Sequence, residues 1–426
     1  MVLGLSGLIV IGTIVLLVKH VETRLVLFGA GMLLALLAGE PFGAFTAFSA
    51  AMKQTKLFEN IIAAMGFAMV MKVTSCDKHL VNLLGRWLKN AGPLLIPTTV
   101  LVTYFINISI TSSSGCSAAV GPIFIPLLMA AGISPAVAAA AVLAGTAGGA
   151  MLNPGHAQIL VAAEVTGRTP IEIVANHWLP LFISAGLCAA VGLYIVARCF
   201  SEHKNYKMPA DQAILDPSQF KVNIVWAAVP LVPLIILMLG STKIVPAFAP
   251  IGISHAMIIG AICSMLVTRM SPAKISKEFW HGAGEGFGHI FGIIICALIF
   301  VSGLKSVGII AASTQMMMEN PTIAKISSAF GPFILAVLSG SGDAAAIAFN
   351  QSITAHAESF GISGPNMASM AVIAGNLGRT MSPVAGSCII CAGIANVSPL
   401  DVAKRNVLGM VIGVTVSLVI LLYMRG

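Results

Sequence analysis

Gly375-Asn376-Leu377-Gly378-Arg379-Thr380-Met381-Ser382-Pro383 lies inside an apolar run that extends over residues 365–396. A helix needs roughly 20 apolar residues to cross a bilayer, and the run is long enough. Proline removes a backbone donor and breaks such a helix. A centred arginine costs at least about 2.5–3.5 kcal/mol on insertion scales, so Arg379 must face a cavity or a partner. The stretch therefore predicts a broken membrane helix packed within protein.

The rest of the chain fits that setting. Of its 426 residues 58% are hydrophobic and 9% charged, where a soluble domain carries about a quarter charged. Mean hydropathy is +0.97. Apolar runs recur from end to end, so lipid is the expected solvent and no separate soluble domain fits. Residues 2–18 read as a first spanning helix, because they lack a positive n-region and a cleavage motif. The net charge of +8 is scattered along the chain, which argues against nucleic acid and for basic cytoplasmic loops. Eight cysteines lie dispersed. Cys388 and Cys391 have no second pair to complete a metal site, and packing is the simpler reading. No metal or cofactor is expected.

Polar breaks recur in each half. Thr111-Ser112-Ser113-Ser114-Gly115 and Ser339-Gly340-Ser341-Gly342-Asp343 read as tips of hairpins over 93–131 and 322–358. Asn153-Pro154-Gly155-His156 breaks a helix over 135–165, as 375–383 breaks that over 365–396. Shifting the first half by 229 positions lays Ser114 on Asp343, Ile133-Ser134 on Ile362-Ser363, Asn153-Pro154 on Ser382-Pro383, and Pro170 on Pro399. Agreement on one offset predicts an internal repeat: residues 1–200 and 222–426, joined by a polar linker, 201–221. With the N-terminus outside and both hairpins re-entrant, 15 of the 23 lysines and arginines fall on the cytoplasmic side, as the positive-inside rule asks. The repeats are then inverted. Ten helices would span the membrane, and the substrate would sit at the midplane among the breaks.

Helices starting at such tips aim N–H groups and partial positive charge into a site, which suits a carboxylate. The expected binding residues are Thr111, Ser112, Ser113, Ser114, Gly115, Asn153, Gly155, Ser339, Ser341, Gly342, Asp343, Asn376, Arg379, Thr380 and Ser382. The competing reading of the small residues is close helix packing. Arg379 would hold a substrate carboxylate in bidentate fashion or pair with Asp343. Asp343, His156 and Glu164 are candidates for a coupling proton or sodium ion. An enzyme reading fails: Gly340-Ser341-Gly342-Asp343 has the G-x-G-D pattern of an intramembrane aspartyl protease, but no second intramembrane aspartate exists to share its proton. Ser114 with His156 lacks a positioned oxyanion hole, and 282–288 lacks the strand a phosphate loop needs.

Asn376-Leu377-Gly378-Arg379-Thr380-Met381-Ser382-Pro383, together with Gly361-Ile362-Ser363 and Ser398-Pro399-Leu400-Asp401-Val402, resembles the DcuC-type anaerobic C4-dicarboxylate carriers. The tip at Ser339–Asp343 and Gly132-Ile133-Ser134 are similar to that family too, over nearly the whole chain. The resemblance implies transport of succinate- or fumarate-like dicarboxylates across a bacterial inner membrane. It also implies the wider ion transporter fold, in which a mobile domain with two hairpins works as an elevator within a homodimer. Asp343 departs from the expected asparagine, and 153–156 from the expected Ser/Thr-rich stretch. Both departures bear on the substrate or the coupling ion. A carrier of another organic anion, or a cation/proton antiporter with Asp343 as its ion site, is the alternative.

Overall fold

In a computed structural model the described residues are 2–424, except 20, 54, 87, 89–90, 205, 207–219 and 242–243. The linker expected at 201–221 therefore lies largely outside them, with Lys207, Asp211 and Asp216, as do Lys89, Lys243 and Arg425. All regular structure among the described residues is helical. Eight helices are long and apolar enough to cross a membrane, and several shorter apolar helices accompany them; the expected ten full spans are not separately resolved by length.

Most of the apolar packing falls into two groups, beside a small third one of Leu34, Leu304, Val307 and Ile310. One core gathers residues from 81–197 and 324–422. A second gathers 27–76 and 229–299, and takes in Leu160, Val161 and Ile347 from the first group's helices. Those three side chains mark where the groups meet.

The first group contains both hairpins and both broken helices. The first hairpin has arms Leu95–Ser109 and Ser113–Ala130, and the second has arms Pro321–Ser339 and Gly342–Ser352. Each tip is closed by a serine cap: Ser112 Oγ accepts from Gly115 N at 3.1 Å, and Ser341 Oγ from Ala344 N at 3.2 Å. Gly340 turns the second tip at φ +74°, a conformation that favours glycine.

The broken helices are Pro135–Gly145 with Ala157–Thr166, and Gly364–Thr380 with Gly386–Ala395. Both breaks differ from expectation. The first opens at Thr146, well before Asn153, because glycines here admit the neighbouring hairpin arm. A Cβ on Gly145 would run into Thr103, and one on Gly149 into the Tyr104 carbonyl oxygen. The second starts only after Thr380, so Gly375–Arg379 are helical; Pro383 is what keeps residue 382 out of the helix.

Contacts at the helix ends give directions. Gly132 O accepts from Tyr206 N at 3.0 Å, Ser134 N donates to Glu202 O at 2.9 Å, and Glu202 pairs with Arg405. The first hairpin's base, the start of Pro135–Gly145 and the chain after Ala395 thus share one end. At the other end Gly364 stands against Thr166, and Asn176 Nδ2 donates to Asn366 Oδ1 at 3.0 Å. The two broken helices therefore run antiparallel, and the hairpins enter from opposite ends.

One contact recurs at the 229-residue spacing. As Gly149 lies on the Tyr104 carbonyl, so Gly378 lies on the Phe333 carbonyl. Ser184 O also abuts Gly413, its own counterpart at that spacing.

Candidate functional site

Four helix starts meet at one cavity of about 310 Å³. They are Ser112–Ser114 and Gly340–Asp343 at the hairpin tips, and His156–Ala157 and Gly386–Ser387 after the breaks. Each helix has ten or more residues, and each N-terminus carries roughly half a positive charge. Ile61, Ala64 and Met65 of the helix Thr55–Thr74 close the cavity from the second packing group, with Ile290.

Arg379 is 7% exposed and lines the cavity. Its Nη1 donates to Ser387 Oγ at 2.8 Å, and its Nη2 to Thr146 O at 2.6 Å. Thr146 is the C-cap of Pro135–Gly145, so the cation also answers the negative end of that helix. A guanidinium has five N–H donors, and two of them are used in these bonds.

Asp343 lines the same cavity and is exposed. Its Oδ1 accepts from Gln158 Nε2 at 2.5 Å, and Gln158 Oε1 accepts from Asn376 Nδ2 at 3.0 Å. Among the described residues no ion pair joins Asp343 to Arg379.

The cavity thus collects Thr111, Ser112, Ser113, Ser114, Gly155, His156, Ser341, Gly342, Asp343, Asn376 and Arg379. The other expected site residues lie behind or beside it. Asn153 braces the break, donating to Ile108 O at 2.9 Å and accepting from Gly155 N at 2.9 Å. Ser339 bonds Leu335 O, and Thr380 bonds Asn376 O. Ser382 Oγ is buried without a partner, and Gly115 faces a neighbouring cavity. Glu164 is exposed near the far end of its helix and does not line the site.

Sequence reasoning missed Gln158, Ser387 and Thr146. A signal was there: Gln158 and Ser387 stand 229 residues apart, each just after a break. Each holds one of the two charged groups.

A second cavity of about 740 Å³ shares Met65, Thr111 and Ser112 with the site. Lys72, Asp77, Lys78 and Glu285 also line it.

Residues 6–425 match the family of C4-dicarboxylate anaerobic carriers, DcuC. The chain belongs to this family. It is a membrane transporter and not an enzyme. A DcuC-family chain this long can be compared over most of its length. An Escherichia coli K12 relative, named anaerobic C4-dicarboxylate transporter DcuC, is 24% identical over 84% of this chain and 79% of its own. A Haemophilus influenzae protein, named only as an uncharacterized transporter, is 40% identical over 62% of this chain and 97% of its own. Two solved structures share the fold. Neisseria gonorrhoeae MtrF, described as one of a class of antimetabolite efflux pumps, has a TM-score of 0.62 at 12% identity, covering 88% of this chain and 82% of that one. The Alcanivorax borkumensis YdaH transporter has a TM-score of 0.61 at 14% identity, covering 96% and 97%.

Proposed function

We propose that this DcuC-family protein is a secondary carrier of C4-dicarboxylates in a bacterial inner membrane, and that the substrate binds between the two hairpin tips. The convergence of four helix N-termini and Arg379 on one small cavity carries this reading. Converging N–H groups and a guanidinium fork suit carboxylate oxygens. The names of the relatives point to the same substrate class.

Alternating access would come from inverted repeats. The recurring Gly149–Tyr104 and Gly378–Phe333 contacts favour this, as do the antiparallel broken helices. So does the crossing of the tips. Ser114 Oγ lies 3.0 Å from where a Cβ on Gly386 would stand, while Asp343 bonds Gln158; each tip leans on the other half's broken helix. The group holding both hairpins would move against the Thr55–Thr74 side as an elevator, within a homodimer. The 740 Å³ cavity beside the first tip would be the cytoplasmic entrance, lined by Lys72 and Lys78.

A second reading keeps Asp343 or His156 as the site of a coupling proton or sodium ion, since both line the cavity. The test is uptake of labelled C4-dicarboxylates into proteoliposomes preloaded with unlabelled ones. Acceleration by the internal substrate is expected. If no C4-dicarboxylate moves, in vesicles active with another solute, the substrate reading is wrong.

A further inference from the structure

Two side chains bring charge to the cavity, and each is bonded to a different helix start. Arg379 is bonded to Ser387, at the start of Gly386–Ala395, and the first hairpin tip stands against that same start through Ser114 and Gly386. The Arg379 Cβ also stands against the second tip, beside Gly342. Asp343 is bonded to Gln158, at the start of Ala157–Thr166. Asp343 is the second residue of its own helix, Gly342–Ser352. A full negative charge there more than offsets the roughly half charge of that N-terminus. The position at the 229-residue spacing in the first tip is Ser114, so the two tips differ by one formal charge.

A plain dicarboxylate uses only the Arg379 part of this arrangement. Carboxylates seated on Arg379 would leave Asp343 facing more negative charge in a cavity of about 310 Å³. Like charges at such range cost free energy unless a cation lies between them. Gln158 does not supply that cation. It is a neutral amide, fully buried, and its carbonyl is already taken by Asn376. Arg379 is engaged by the ligand's carboxylates, so the cation is either a coupling ion or a group of the ligand itself.

We propose that the site takes an amino-dicarboxylate, with its carboxylates on Arg379 and its ammonium group on Asp343. This rests on the carrier function proposed above and narrows its substrate class. Asp343 then becomes the residue that selects for the amino group, and Gln158 the residue that aims it. A site built to pair with a polar group rejects analogues that lack it, because the pairing residue is left bare.

The test is a competition in proteoliposomes holding the full chain. Uptake of labelled aspartate is challenged with unlabelled aspartate, malate, methylsuccinate and succinate. Malate replaces the ammonium by a hydroxyl, and methylsuccinate by a methyl group of similar size. The expected result is that aspartate competes at least about tenfold better than any of the three. In Asp343→Asn the ratio of aspartate to succinate competition should shrink by about tenfold or more. Equal or better competition by succinate in the unmodified protein overturns the proposal, whatever the variant does, and leaves the dicarboxylate carrier standing. An amino preference that survives intact in Asp343→Asn also overturns it, because the selectivity then arises elsewhere. If neither labelled aspartate nor labelled succinate moves, the carrier reading fails first and takes this proposal with it.

Discussion

Arg379 and Asp343 line one cavity with opposite charges, yet each is bonded to other groups instead of to its opposite. Arg379 donates to Ser387 and to the Thr146 carbonyl, and Asp343 accepts from Gln158. A direct pair would neutralise the cavity and leave little to attract an ion. In the proposed function both charges thereby stay available to a ligand, and a ligand that bridges them gains from both.

Arg379→Ala removes the guanidinium and leaves the Thr146 carbonyl without its donor. Losing one partner of a buried charged contact costs about 2–5 kcal/mol, so dicarboxylate uptake should fall at least about thirtyfold. Arg379→Lys keeps the charge but not the planar fork, and should recover only part of the loss. Initial uptake rates, with protein insertion checked by detergent size exclusion, measure both.

Gln158→Leu is nearly isosteric but removes the donor to Asp343 and the acceptor for Asn376. Asn376 keeps its bond to Val372 O, so the larger effect falls on Asp343, which loses the group that aims it. A KM at least about fivefold higher is expected, together with a lower melting temperature in detergent. An unchanged KM would show that Gln158 does not position Asp343.

Gly149→Ala and Gly378→Ala place a methyl group into the carbonyls of Tyr104 and Phe333. Backbone cannot move aside as a side-chain end can, and overpacking costs about 1–3 kcal/mol or more. Both variants should melt several degrees lower than the parent. Gly284→Ala has nothing within 4 Å of the added Cβ, and should melt at the parent temperature or slightly above it.

Asp77, in the short helix Cys76–Gly85, is pushed up to about 6 by burial, against an ordinary 3.8. The folded protein thus holds this proton over a pH range where the unfolded chain has lost it. Stability from this group falls as pH rises from about 4 to about 6, and stays low above that. Asp77→Asn should therefore raise the melting temperature at pH 7.5, and the gain should disappear near pH 4.

Much of this was legible from residue types. Tips at Ser112–Ser114 and Ser341–Asp343 were visible because serine and glycine do not belong inside a spanning run, and Arg379 because lipid would not tolerate it. The helix boundaries at the breaks were less so. Asn376 and Gly375 look like helix breakers, but they continue the helix because Gly375 lets the second tip's backbone approach; a Cβ there would lie 2.8 Å from Gly342 O. Conversely, nothing in Thr146 announces a helix end. That end is set by the arm Leu95–Ser109 pressing on Gly145 and Gly149, a contact between segments far apart in sequence. Glu164 seemed a candidate because acids are rare here, but two helical turns carry it away from the cavity.

The most direct measurement is counterflow of labelled C4-dicarboxylates in proteoliposomes, comparing the unmodified protein with Arg379→Ala. A carrier that binds its substrate between the two tips should show uptake accelerated by internal C4-dicarboxylate, and the folded variant should be slower by at least about thirtyfold. Counterflow that persists at near-normal rate in Arg379→Ala would contradict a binding site in this cavity.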